Sequence, residues 1–217
     1  MATTYKNLVN AVQQRLRQAQ TGTVDTTTYS SLLGALVNDA KLQIEQAHFW
    51  LGLRETITVT TVAGTKTYSL AGTGNDSKIN WVYNDTSNWP ITRKSYRAVE
   101  ESYLNTDTLG STRNFAISSL DSNDDQEVYL YPKPNSIESL KFRVHKAHTA
   151  DLVEDTDTIS IPKIPIIQLA YAMAIAERGE DGGITSTEQF AVADRFLQDA
   201  IALEANTMNE ELIWYPD

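Results

Sequence analysis

Between Ile164 and Ala176 the chain reads IPIIQLAYAMAIA, and only Gln168 is polar. No other feature limits the possible folds as much. A helix apolar on nearly every side has to be surrounded by protein. At ~1.5 Å per residue this run spans about 20 Å, short of the ~20 apolar residues that cross a bilayer. Pro165 falls in a first helical turn, where its missing N–H would have had no partner. Gly179 stops the helix, and Gly182-Gly183 turn the chain back. Alanines at 170, 172, 174 and 176 allow neighbouring elements to approach closely. The stretch is therefore expected to be a central core helix with the other elements arranged around it.

The flanking segments supply those elements. Thr3 or Thr4 caps a first helix in which Tyr5, Leu8, Val9, Val12 and Leu16 recur at helical spacing, ending near Gln20-Thr21-Gly22. Asp25 and Thr26 to Thr28 offer a second cap. Beyond them Tyr29, Leu32, Leu33, Leu36, Val37, Ala40 and Ile44 form a stripe that continues to His48, Phe49 and Trp50. From Arg54 the period changes to alternation. Thr56–Thr60 and Lys66–Leu70, joined at Ala63-Gly64-Thr65, read as a β-hairpin. Strands are expected at 78–83, 89–91, 113–118, 127–131 and 140–145, with a short helix over 96–104 capped by Ser95. Pro132 and Pro134 suit a strand end. After the core helix, Thr185 or Ser186 with Glu188 or Gln189 forms a capping box for a long last helix. Phe190, Ala193, Leu197, Ala200, Ile201 and Met208 make its apolar stripe.

The expected fold class is α+β. A helical bundle is built from the N- and C-terminal helices, and a mostly antiparallel β-sheet or small sandwich is inserted into it. The expected boundaries are 1–53 with 150–211 for the bundle, 54–149 for the insertion, and 212–217 for an apolar tail.

Charge is unevenly distributed. The first fifty residues carry a net +1 and the next hundred a net zero. Residues 151–217 hold 3 basic against 14 acidic side chains, which accounts for the overall −10. An acidic C-terminal third disfavours tight phosphate binding, which needs clustered Lys and Arg. It is either a solvated, solubilising face or a surface that nucleic acid passes without sticking. With no cysteine, disulfides, Cys-ligated zinc and a thiol nucleophile are excluded. Met1 to Asn10 lacks a secretory signal pattern, so synthesis in the cytosol is expected, with no membrane partner.

Candidate chemistry is sparse. Asp121, Asp124, Asp125 and Glu127 form one carboxylate cluster, and Asp151, Glu154, Asp155 and Asp157 another. Neither has calcium-loop spacing, so both read as solvated turns. His48 beside two aromatics reads as a buried or edge histidine, and His145 and His148 lack a spaced carboxylate partner. No phosphate-loop or nucleophile-elbow pattern occurs. No enzyme activity, cofactor or metal is expected. Trp81, Tyr83 and Trp89 offer a sugar-stacking face or, with more weight, sheet core plus one exposed ring. Leu212-Ile-Trp-Tyr215 is abruptly apolar for the end of a chain. Each such side chain contributes ~1.5–3 kcal/mol on burial, so the tail either folds back on its own domain or anchors a partner.

In order, several segments resemble the bacteriophage head-to-tail adaptor (connector) family. They are Ala47-His-Phe-Trp50 leading into Arg54-Glu-Thr-Ile-Thr-Val-Thr, then Gly64-Thr-Lys-Thr-Tyr-Ser-Leu, then Glu127-Val-Tyr-Leu-Tyr-Pro132-Lys-Pro. The Ile161-Pro162 start of the core helix and its end Ala174-Ile-Ala-Glu-Arg-Gly179-Glu-Asp complete the set. The likeness spans most of the chain. One departure is Leu70-Ala-Gly, where the family usually has Leu-Pro.

The resemblance implies a structural virion protein made in the host bacterial cytoplasm. It would form a homo-oligomeric ring, commonly of twelve subunits, between the portal protein and a tail nozzle or hub protein, with double-stranded DNA passing through. On that reading Leu212, Ile213, Trp214 and Tyr215 are the portal-side contacts. Val62, Ala63, Gly64 and Thr65, with Gly72, Thr73, Gly74 and Asn75, are the tail-side contacts. Glu188, Asp194, Asp199 and Glu204 make an acidic face toward the channel. The competing classes are a sugar- or receptor-binding tail module, which needs Trp81 or Trp89 exposed, and a small hydrolase, which needs a polar cleft.

Overall fold

A computed structural model describes residues 3–179 and 186–207. The elements in chain order begin with helices α1 (Tyr5–Arg15) and α2 (Thr28–Ala47). Strands β1 (Arg54–Thr60), β2 (Thr67–Ser69), β3 (Lys78–Asn84), β4 (Trp89–Pro90) and β5 (Thr92–Arg93) follow. Then come helix α3 (Tyr96–Asn105) and strands β6 (Leu109–Gly110), β7 (Asn114–Leu120), β8 (Gln126–Tyr131), β9 (Lys133–Pro134) and β10 (Ser139–His145). Helices α4 (Lys163–Arg178) and α5 (Ser186–Thr207) close the described chain. The fold is α+β. The chain divides into two compact units, one comprising residues up to Gly52 and from His148 onward, the other Leu53–Ala147.

In the helical unit α4 packs against α5, α2 and α1. Its buried residues are Pro165, Ile166, Ile167, Ala170, Ala172, Ala174 and Ile175. The enclosure expected of so apolar a helix is incomplete among the described residues. Ile164 is 45% exposed, and Leu169 and Met173 are half-buried. Gly179 ends α4 at φ 62°, a left-handed conformation that glycine adopts without a Cβ clash. Thr4 caps α1 by accepting from the Asn7 N–H, and two free amides of its first turn, at Tyr5 and Lys6, donate to the carbonyls of Asp157 and Asp155.

Two helix ends fall earlier than expected. α1 stops at Arg15 because Arg17 turns left-handed at φ 56°, and the Asn10 and Gln13 side chains then accept from the Thr21 N–H. α2 starts at a Thr27–Ser30 capping box and stops at Ala47, where His48 becomes extended. Trp50 folds back, fully buried, and its indole N–H donates to the Ile44 carbonyl at 2.7 Å. At Gly52 a Cβ would lie 1.9 Å from the Ser160 carbonyl oxygen, so only glycine admits this approach. The capping residue Thr185 and the stripe residue Met208 lie outside the described residues.

The β unit is a sandwich of two four-stranded sheets, β1-β10-β3-β4 and β2-β8-β7-β5, with a separate β6-β9 pair. Pairing is antiparallel except for β5 with β7 and β6 with β9. One core fills the space between the sheets. Val59, Ile79, Val82, Leu140, Phe142 and Val144 come from the first sheet, and Phe115, Val128 and Leu130 from the second. Phe115 and Phe142 meet edge to face at 5.8 Å.

The expected hairpin does not form. β1 pairs with β10 and β2 with β8, so the two strands lie in opposite sheets. The turn between them is not closed on itself. The Thr61 N–H donates to the Glu138 carbonyl and the Gly64 N–H to the Pro134 carbonyl, carrying the chain across the end of the sandwich. The segment at 89–91 likewise splits into β4 and β5 in different sheets, with Ile91 buried between them.

Candidate functional site

Two loops of the sandwich were expected to meet a partner, and they differ in construction. In the first, Val62, Ala63, Gly64 and Thr65 are all exposed, Val62 by 60%. Its backbone is nonetheless ordered by the Tyr68 hydroxyl, which accepts from the Val62 N–H at 2.8 Å and donates to the Val62 carbonyl at 3.0 Å. The second loop is clamped. The Asp125 carboxylate accepts from the Gly72 and Gly74 N–H groups, each at 2.9 Å, and the Gln126 side chain donates to the Asn75 carbonyl. Thr73 is buried, donating to the Leu70 carbonyl and accepting from the Gln126 N–H. Only Gly72 and Asn75 of that quartet stand exposed, with Gly74 intermediate.

The carboxylate clusters thus act as internal ties. Asp121 closes its own turn by accepting from the N–H groups of Asn123 and Asp125, and it accepts a hydrogen bond from Ser69 at 2.6 Å. That hydroxyl first, then the two amides, holds its carboxyl below the usual range. Asp155 accepts from the Val24 N–H, and Asp157 from those of Val153 and Glu154, each at 2.8 Å. These two amides hold the Asp157 carboxyl low. A carboxyl lowered on folding contributes stability that is present above its unfolded pKa of ~3.9 and is lost as pH falls through the folded value. The expected outcome is that Asp157→Asn is less stable than the parent at pH 6, with the gap closing below about pH 4. Thermal unfolding at several pH values checks this. No group of three His, Asp or Glu able to hold a metal occurs among the described residues. His145 is buried in β10 and His148 is exposed.

Helix α5 presents Glu188, Asp194 and Asp199 to solvent. The expected single acidic face needs correcting, because at ~100° per residue Glu188 and Asp199 fall within about 20° of each other while Asp194 lies some 120° away. Exposed Arg195 lies about 20° from Glu188 on the wheel, on the side away from Asp199. Glu204 is half-buried and turned inward, accepting a hydrogen bond from the Leu51 N–H. Beside it, an apolar groove of about 690 Å³ runs between the first turn of α4 and the last half of α5. Ile164, Phe196 and Leu203 form its apolar lining, with Lys163, Asp199 and Glu204 also on its walls.

Of the tryptophans proposed for stacking, Trp81 is 49% exposed and lies against Tyr83, ring centroids 5.2 Å apart and nearly parallel. Trp89 is half-buried. Its indole N–H donates to the Thr112 carbonyl, and Arg113 covers its ring at 4.5 Å.

One cluster escaped the sequence reading. Tyr96 and Tyr103 of α3 meet Tyr129 and Tyr131 of β8, with Lys66 4.6 Å above the Tyr129 ring and Lys133 against Tyr103. Burial, then the nearby Asp107, pushes the Tyr103 hydroxyl up, and it donates to the Leu130 carbonyl. The available signal was spacing, seven residues apart on a helix and two on a strand, which puts each pair on one face. The residues Leu212, Ile213, Trp214 and Tyr215 lie outside the described ones. No described helix is long and apolar enough to cross a membrane.

Comparison with known proteins adds one positive finding. A family model described as SU10 adaptor protein matches residues 3–211. No curated protein matches the chain.

Proposed function

Since the chain belongs to the SU10 adaptor family, a family of phage adaptor proteins, we propose that it joins the phage head to the tail as a ring of twelve subunits seated on the portal. The observation that carries this reading is the match itself, which runs through both the helical unit and the inserted sandwich rather than through one of them. The apolar segment Leu212–Tyr215 acts as the portal anchor, a third functional part beyond the two units. Bulky aromatic residues in a short segment are the type that dominates binding when seated in a cleft. The exposed loop Val62–Thr65, with Gly72 and Asn75, faces the tail nozzle or hub. Rigid loops suit that task, because little ordering remains to oppose docking. Glu188 and Asp199, which share one side of α5, face the DNA path, where like charge keeps the duplex from adhering. Glu204 has no part in that face, being engaged by Leu51.

The test is mass in solution with and without the portal ring of the same phage, by light scattering. The expected result is a 24.2 kDa monomer alone and a ring-sized complex with portal. Deletion of 212–217 should abolish the complex while leaving the circular dichroism spectrum unchanged. A truncated chain that still joins the portal overturns the anchor assignment. A full chain indifferent to the portal favours the second reading, a glycan- or receptor-binding tail module. That reading rests on exposed Trp81 alone, since Trp89 is held by Thr112 and Arg113.

A further inference from the structure

We propose that the free edge of β1 takes an added strand from a partner protein, an extended segment with apolar side chains at alternate positions and acidic ones between them. A sheet edge presents a row of unpaired N–H and C=O groups, and folded proteins blunt such edges with very short strands, proline or bulges. The two four-stranded sheets have four edges. Strands β4 and β5 are two residues long, β4 contains Pro90, and β2 has three residues. By contrast β1 has seven, none of them proline, and its only charged side chains, Arg54 and Glu55, stand at its first two positions. It pairs with β10 through seven consecutive positions without a bulge, whereas the ladders of β10 with β3 and of β7 with β8 each shift register. Its run Thr-Ile-Thr-Val-Thr is β-branched throughout, which favours a regular extended strand. This edge alone of the four is left open.

The ladder fixes which groups are free. The Leu53 carbonyl accepts from the Lys146 N–H, and the Thr61 N–H donates to the Glu138 carbonyl. Hydrogen-bonded pairs with β10 therefore fall at Glu55, Ile57 and Val59. The N–H and C=O groups of Thr56 and Thr58 point away from β10. Both residues are exposed, and no backbone group among the described residues meets them. Side chains set the chemistry of the added strand. On the inner side Ile57 is only half-buried against the sandwich core, so apolar residues beside it extend that core. On the outer side Thr56 stands opposite Arg143 and Thr58 opposite Lys141. Lys141 is paired with Asp85 at 2.9 Å, whereas exposed Arg143 has no ion pair among the described residues. A strand added beyond β1 lies two spacings, about 10 Å, from β10, a gap that an arginine and a glutamate close together. A second copy's β1 fits less well, because it brings only threonines to that side and leaves Arg143 without a counter-charge. Main-chain bonds then supply affinity and the alternating side chains specificity. Neither the ring nor the portal is needed for this edge to act.

The experiment uses the full chain and two synthetic probes, a short peptide alternating valine with glutamate and the same peptide with lysine for glutamate. Amide hydrogen exchange is followed by NMR. At millimolar concentration the glutamate peptide should slow exchange at Thr56 and Thr58 by about tenfold or more, and the lysine peptide by less than about twofold. Thr58→Pro removes an N–H that faces away from β10, a change an edge strand tolerates. It should abolish the slowing at Thr56 while Ile57 and Val59, bonded to β10, stay as protected as in the parent. Arg143→Glu, at an exposed position, should reverse the preference between the two peptides. No slowing by either peptide overturns the proposal, and so does equal slowing by both, or slowing that survives Thr58→Pro. Protection of Thr56 and Thr58 without any peptide, lost on dilution together with a doubled mass, also overturns it and assigns the edge to a second copy. Portal binding does not enter this readout, so no result here bears on the adaptor reading.

Discussion

Lys41→Met is expected to lower the stability of the helical unit by about 3–5 kcal/mol, the usual cost of removing one partner from a buried ion pair. Lys41 and Glu45 lie one turn apart on α2, 3.2 Å between charged atoms, with both side chains almost wholly inaccessible. Neither charge depends on the other alone. The Lys41 ammonium also donates to the carbonyls of Thr149 and Ala150, and the Glu45 carboxylate accepts from the Thr149 N–H and hydroxyl. The pair thereby fastens the chain to α2 just after the β unit ends. Removing Lys41 leaves a carboxylate in low dielectric with only neutral donors. Urea unfolding followed by the helical circular dichroism signal measures the loss. The double variant Lys41→Met, Glu45→Leu should recover part of it, since it removes the stranded charge and leaves only the Thr149 and Ala150 groups unsatisfied. A single variant within about 0.5 kcal/mol of the parent would mean that water reaches the pair.

The second large effect is expected at Glu138, in the β unit. It is 2% exposed and accepts hydrogen bonds from the Ser111 hydroxyl and, at 3.1 Å, from the Thr112 N–H. Its own N–H donates to the Thr61 hydroxyl at 2.8 Å, and its carbonyl accepts from the Thr61 N–H. Glu138→Ala leaves the buried Thr112 N–H without an acceptor, at roughly 1–3 kcal/mol, and takes one partner from the half-buried Ser111 hydroxyl, so a loss of about 2–3 kcal/mol is expected. Glu138→Gln keeps one acceptor oxygen and should lose less. Because Thr61 begins the loop that exposes Val62 to Thr65, the alanine variant should also raise amide hydrogen exchange in that loop. Exchange measured by mass spectrometry, together with thermal unfolding, checks both effects. If stability falls and the loop stays protected, Tyr68 alone orders it.

Neither Lys41 nor Glu138 stands out in the sequence, and the reason is the same for both. A charged side chain one position off an apolar stripe looks solvated until the partners arriving from another part of the chain are known. Thr149 for Lys41, and Ser111 and Thr112 for Glu138, are such partners. The Asp125 clamp on Gly72 and Gly74 belongs to the same class, and its carboxylate resembled a solvated turn residue for that reason.

What local pattern alone determines did emerge from the residues. Helical periods placed α1 to α5, Ser95 and Thr4 act as caps, and Gly179 ends α4, because these depend on neighbours within one turn. Alternation placed β3, β7, β8 and β10 to within two residues at either end. Strand pairing lay beyond reach. Two alternating runs across a glycine turn satisfy the hairpin pattern whether they pair with each other or with β10 and β8. The choice depends on which inner faces fill one core, and Phe115 against Phe142 is a contact that no short stretch encodes. The same limit applies to the apolar helix α4. Its composition required burial, but only the packing of α1, α2 and α5 decided that Ile164 would remain half open, facing a groove. Burial is a property of the assembled elements, whereas helical period is a property of the chain.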